Sequence, residues 1–180
     1  MKSLEINTKG HADQAVRISS PNYDRRPEGT DVSMIVIHNI SLPPEQYGGN
    51  GVIELFTNQL DPKEHPYYRE IYQLKVSSHF FIRRDGTLIQ FVSCNDRAWH
   101  AGVSSWQGRE RCNDFSVGIE LEGCDSSGFE TAQYDRLNCL LAGLCARYPI
   151  TTIVGHSDIA PGRKTDPGPY FEWSKIKQKF

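Results

Sequence analysis

The sequence has little that would take it into a membrane and no surplus of positive charge. Its longest apolar stretch, Leu140 to Ala146, falls far short of the roughly 20 residues that a bilayer-spanning helix needs. The opening residues Met1-Lys2-Ser3-Leu4-Glu5-Ile6-Asn7 interleave charge and polarity where a secretory leader carries an unbroken apolar segment. We therefore expect no membrane partner and a cytoplasmic location. Lys and Arg number 20 against 22 Asp and Glu, a net charge of -2. No basic stripe for a phosphate backbone can be drawn from that balance, so nucleic acid is not an expected partner. Cys94, Cys112, Cys124, Cys139 and Cys145 are odd in number and form no C-x-x-C pair, which argues against a disulfide framework and a structural zinc knuckle. Reduced, mostly buried thiols are expected. Repeats and low-complexity tracts are missing too, and 180 residues suit a single domain.

What is present is a pattern of alternating strands and helices. Residues 1–30 contain Pro21, Pro27 and Gly29 without periodicity and read as an irregular arm. Met34-Ile35-Val36-Ile37 is a continuous apolar run suited to a strand buried on both faces, and it delivers His38 at its end. Asn39 to Gly51 reads as a long loop. A helix follows, with Val52, Leu55, Phe56 and Leu60 on one side, and Asp61-Pro62 stops it. Ser78 to Val92 reads as a hairpin turning at Asp85-Gly86. Ser116 to Glu122 sets Val117, Ile119 and Leu121 against Glu120 and Glu122, a strand with one apolar and one chemical face. From Thr131, a candidate N-cap, apolar residues recur at helical spacing until Pro149. Thr152-Ile153-Val154 is a last strand running into Gly155-His156. The sum is an α+β (mixed α/β) fold, a single domain with a central mixed β-sheet packed by helices.

Three features could carry chemistry: His38 after one buried strand, His156 after another, and Lys164-Thr165-Asp166 in a loop rich in Pro and Gly. Two imidazoles and a carboxylate suit a catalytic zinc, which takes three protein ligands and keeps a position open. The spacing leaves this open, since a lone His at a strand end is more often a hydrogen-bonded structural residue. Glu120 and Glu122 share one strand face, and the pattern does not separate them.

Longer blocks narrow the choice. Ile35-Val36-Ile37-His38-Asn39, Arg97-Ala98-Trp99-His100-Ala101-Gly102, Cys112-Asn113-Asp114-Phe115-Ser116, Gly118-Ile119-Glu120-Leu121-Glu122-Gly123 and the run from Gly155-His156 to Asp166-Pro167 resemble the N-acetylmuramoyl-L-alanine amidases of the peptidoglycan-recognition fold. Within that family they resemble the branch acting on 1,6-anhydro-N-acetylmuramyl peptides. The likeness runs in order from about Pro21 to Trp173. It implies one Zn2+ per chain on His38, His156 and Asp166, with Glu120 and Lys164 as the catalytic pair. Related enzymes often use Cys as the third ligand, and Asp166 marks this branch. It also implies hydrolysis of the amide between muramic acid and L-alanine during cytoplasmic peptidoglycan recycling, with a small muropeptide as substrate and a monomeric enzyme. Residues 31–180 would form the zinc amidase catalytic domain, with residues 1–30 packed on it.

A peptide substrate brings carboxylates, for which Arg111 and Lys75 are candidate partners. Family members carry Arg where Lys75 stands, and Lys lacks the bidentate fork. Asn39 and His100 complete the candidate substrate-binding residues. His100 and His79 could also orient a ligand from behind or be structural imidazoles, and Trp99 could pack under the site. The rival readings are an amidase of intact peptidoglycan, a recognition module that binds without cutting, and a cysteine hydrolase on Cys112 or Cys124, for which no partnering base is apparent.

Overall fold

The computed structural model describes residues 4–178. Met1, Lys2 and Ser3 of the opening segment, and the last two residues of the 31–180 region, lie outside the described residues. Among the described residues no helix is long and apolar enough to cross a membrane.

The main sheet has six strands: β1 (Val16–Arg17), β3 (Met34–Ile40), β4 (Phe80–Ile82), β5 (Leu88–Gln90), β9 (Ser116–Glu122) and β10 (Thr152–Gly155). Their order is β1-β5-β4-β9-β3-β10. The β4/β5 hairpin is antiparallel and the other pairings are parallel, so the sheet is mixed, as the sequence pattern predicts. Two small two-stranded sheets accompany it, β2 (Tyr23–Arg25) with β6 (Asp96–Ala98) and β7 (Ser105–Trp106) with β8 (Arg109–Glu110). The helices are α1 (Gly51–Phe56), α2 (Tyr68–Ile71), α3 (Thr131–Arg147) and α4 (His156–Ile159).

Strand alternation decides what each face holds. Ile35 and Ile37 of β3 and Val117, Ile119 and Leu121 of β9 join Leu137, Leu140, Leu141 and Leu144 of α3 in one apolar layer. Burying an aliphatic side chain of this size stabilises the fold by about 1.5–3 kcal/mol, so this layer is the main support of the sheet. The intervening residues, His38 on β3 and Ser116, Gly118, Glu120 and Glu122 on β9, therefore face the other way, and the register sets His38 beside Glu120. The polar face of the sheet is thus held in place by the apolar face behind it.

Several expectations need adjustment. β3 extends to Ile40, which puts His38 inside the strand and not beyond its end. Thr131 is the first helical residue of α3 and Glu130 is its N-cap; the Glu130 carboxylate accepts from the N3 backbone while Gln133 Oε1 accepts the Glu130 N–H at 3.0 Å. The helix after the long loop ends at Phe56, where Asn58 takes a left-handed φ of 61° and turns the chain before Leu60. The segment read as wholly irregular contains β1 and β2, strands of two and three residues. The hairpin turn uses Gly86 at φ 82°, a conformation that a side chain would strain.

Candidate metal centre and catalytic site

Adjacent parallel strands bring the two histidines together. Gly155 of β10 pairs with Ile37 of β3, so the residues that follow them, His156 at the start of α4 and His38 within β3, emerge at the same level. Asp158 secures this turn by accepting the Gly155 N–H at 2.7 Å. Asp166 returns from the following loop, whose backbone is tied by the Ser157 N–H donating to the Asp166 carbonyl at 2.9 Å. Asn39 holds the same loop, donating to the Pro167 carbonyl at 3.0 Å and to Asp125 at 2.8 Å.

The side chains then converge. His38 Nδ1 stands 2.9 Å from Asp166 Oδ2, His156 Nδ1 stands 3.0 Å from the same oxygen, and the two Nδ1 atoms are 3.0 Å apart. Both imidazoles are buried, at 1% and 4% exposure. Burial, opposed by Asp166, lowers the His38 pKa to about 4, so the ring is neutral at pH 7. His156 Nε2 faces the Ala101 carbonyl at 3.0 Å. A carbonyl only accepts, so Nε2 carries the proton and Nδ1 presents its lone pair. Two imidazole nitrogens and a carboxylate oxygen within 4.8 Å of one another are the donor types that hold zinc at a catalytic site. The residues fit a metal ion.

Glu120 stands beside His38 across the strand pair. It is 7% exposed, and its Oε2 is buried without a hydrogen-bond partner. Burial, and next the charge of Asp166, raise its pKa well above the ordinary carboxylate value, and Lys164 opposes them. Lys164 is exposed on the Asp166 loop. A cavity of about 630 Å³ opens over this group, lined by all five residues together with Asn39, Trp99, His100 and, from the chain after Asn39, Ile40, Ser41, Leu42, Pro44 and Glu45.

The other candidates sit differently. Arg111 takes a left-handed φ of 60°, approaches Asp114 at 3.3 Å, and lines an adjoining cavity that shares Arg163 with the first. Lys75 is exposed between Leu74 and Val76, and those two neighbours line the main cavity. His100 lies behind His38, its Nδ1 3.0 Å from His38 Nε2. His79 is fully buried: Gly118 N–H donates to its Nδ1 at 3.0 Å, its Nε2–H reaches the Asp96 carbonyl at 3.1 Å, and the Arg26 guanidinium stands 3.1 Å from the same nitrogen. Cys94 and Cys112 are buried and the other three thiols half-buried.

Sequence reasoning missed Arg26 and Asn113. The half-buried Arg26 guanidinium donates to the carbonyls of Cys94, Asn113, Asp114 and Ser116, fastening the chain that leads into β9. Asn113 Oδ1 accepts the backbone N–H groups of His100 and Ala101 at 3.1 and 2.8 Å. Arg26 lies outside any sequence pattern, and Asn113, though inside one of the resembling blocks, is not singled out by it, because both act mainly on backbone atoms.

The chain belongs to the N-acetylmuramoyl-L-alanine amidase family, whose model matches residues 28–169, and its class is therefore an amide hydrolase. Within that class it is 52% identical over 178 residues to the 1,6-anhydro-N-acetylmuramyl-L-alanine amidase AmpD of Haemophilus influenzae, covering 97% of each chain. A crystal structure of a selenomethionine AmpD derivative matches it with a TM-score of 0.92 at 52% identity, covering 93% of this chain and 95% of that one. The amidase AmiD of Escherichia coli, solved with the substrate anhydro-N-acetylmuramic acid-L-Ala-D-γ-Glu-L-Lys, matches with a TM-score of 0.59 at 28% identity, covering 98% of this chain and 65% of that one.

Proposed function

We propose that the protein is a zinc-dependent amidase that hydrolyses the bond between 1,6-anhydro-N-acetylmuramic acid and L-alanine in small muropeptides. It would act as a cytoplasmic monomer in peptidoglycan recycling, without nucleic-acid or membrane partners, through a catalytic domain of residues 31–180 that carries residues 1–30 as an arm. The observation that supports it best is the meeting of His38, His156 and Asp166 beside a buried, unpartnered Glu120. The likeness to AmpD, and the anhydromuramyl peptide bound to AmiD, indicate the substrate class.

In this reading His38, His156 and Asp166 hold one Zn2+, which supplies a Lewis acid and lowers the pKa of water to about 7. Glu120 takes the proton of the attacking water and returns it to the departing alanine nitrogen, since an amide does not leave as an anion. Its raised pKa suits both halves of that transfer. Lys164, at the cavity rim, stabilises the charge that develops on the scissile carbonyl oxygen. Asn39 keeps the Asp166 loop in place, and in this reading Arg111 and Lys75 receive the far carboxylates of the peptide.

The test is incubation with anhydro-N-acetylmuramyl-tripeptide, with products followed by mass spectrometry before and after chelation and zinc re-addition. Release of free tripeptide that stops with chelator and returns with zinc is the expected result. Binding without cleavage by zinc-loaded protein would replace the proposal with a recognition module.

A further inference from the structure

The histidine behind His38 belongs to a hydrogen-bond chain with a fixed direction. Ser116 Oγ lies 2.6 Å from the Cys112 carbonyl. That oxygen can only accept, so the Ser116 hydroxyl proton is committed to it. The remaining lone pair of Ser116 Oγ faces His100 Nε2 at 3.2 Å, which makes Nε2 the protonated nitrogen of His100. Its Nδ1 is then an acceptor, and it stands 3.0 Å from His38 Nε2. His38 must donate from Nε2, which leaves its Nδ1 bare toward Asp166 and His156. Each proton position follows from the one before it, starting at a single carbonyl.

We propose that His100 and Ser116 are positioning residues that hold His38 in the tautomer able to ligate a metal through Nδ1. The proposal rests on the zinc reading above and deepens it. The backbone of the same dipeptide serves the other histidine, because the Ala101 carbonyl accepts from His156 Nε2. Asn113 grips both N–H groups of this His100-Ala101 pair. One short segment therefore orients both imidazoles. Gly118 completes the arrangement: a Cβ there would lie 2.5 Å from His100 Cγ, so only glycine lets the His100 ring rest against β9.

The experiment measures zinc affinity by competition with a chromophoric chelator, and the ring 15N shifts of His38, in wild type, His100→Phe, His100→Asn and Ser116→Ala. Wild type is expected to bind zinc with His38 protonated at Nε2. Outer-sphere partners of this kind are worth about 10–100-fold in metal affinity, and His100→Phe should show that loss. His100→Asn should recover most of it, because its carboxamide oxygen replaces the Nδ1 acceptor, whereas a packing role would leave the smaller Asn no better than Phe. Ser116→Ala, which removes only a hydroxyl, should weaken binding about tenfold and shift His38 toward Nδ1 protonation; it carries the test if His100→Phe does not fold. Undiminished affinity in both His100→Phe and Ser116→Ala, or no recovery in His100→Asn, overturns the proposal while the zinc reading stands. Wild type that releases tripeptide without binding zinc removes the zinc reading, and this proposal with it.

Discussion

Glu120 and Glu122 lie two residues apart on the same face of β9, in surroundings that differ in whether their oxygens are used. Glu122 Oε1 accepts the Gly48 N–H at 2.6 Å, and Oε2 accepts the Arg84 N–H at 3.0 Å, with Arg83 at 3.8 Å. Glu120 Oε2 has no partner. The histidines divide in the same way. His79 has both ring nitrogens matched to backbone groups, whereas Nδ1 of His38 and Nδ1 of His156 face each other and a carboxylate. A buried polar group without a partner costs about 1–3 kcal/mol, so where one persists a role for it should be sought. Glu122 and His79 stabilise the fold; Glu120 and the His38 group lie where the fold leaves capacity for chemistry.

The sharpest way to break this contrast is to neutralise both carboxylates in turn. Glu120→Gln should lower kcat about 10²–10⁴-fold with zinc retained, measured with the anhydro-muropeptide alongside metal content. Its raised pKa sets the sign for stability. The favourable contribution is complete below pH 4.5 and is lost as pH rises through the folded value, so metal-free Glu120→Gln should melt above wild type at neutral pH. Lys164→Met should cost about 10²–10³ in kcat, seen in the same assay. Glu122→Gln should behave in the opposite way: activity within a few-fold, but about 1.5–3 kcal/mol less stable in urea unfolding, since charge-assisted bonds to Gly48 and Arg84 are weakened. Equal effects of the two Glu substitutions would erase the distinction.

The histidine half of the contrast is read through pH. Burial, reinforced by Arg26, lowers the His79 pKa to about 3 against 6.5 in the unfolded chain. Stability from the neutral ring is full above pH 6.5 and is lost as pH falls toward 3, about 2 kcal/mol by pH 5. Urea unfolding of wild type should show that slope, and His79→Gln should lack this share of it. The smallest effect is expected at Arg111: it lines the adjoining cavity, and Arg111→Ala should raise the KM for a tripeptide substrate by a few-fold, about 1 kcal/mol, with kcat unchanged. An unaltered KM removes it from substrate binding.

The fold was legible where a pattern repeats. The apolar run at Met34, the alternation from Ser116 to Glu122, the Asp85-Gly86 hairpin and the helical spacing after Thr131 all correspond to elements of the structure. β1, β2, β6 and the four-residue α2 were not, because elements this short span too little for their period to repeat. Glu130 was passed over because the preferred N-caps are Ser, Thr, Asp and Asn. For the site, residue types could be named but not their meeting; His38 and His156 are 118 positions apart, and the resemblance supplied what spacing lacked. The difference between Glu120 and Glu122 was invisible because it depends on Gly48, Arg83 and Arg84, which reach β9 from other parts of the chain.

That separation of 118 positions also matters to the unfolded chain. An ion seated between His38 and His156 would join β3 to the start of α4 in the folded chain alone, since ligands so far apart in sequence form no site once it unfolds. An ion that binds only the folded state stabilises it by mass action, by about 4.1 kcal/mol when free metal is about 1,000 times its Kd. Under the proposed function, metal occupancy and lifetime against proteolysis should therefore rise and fall together.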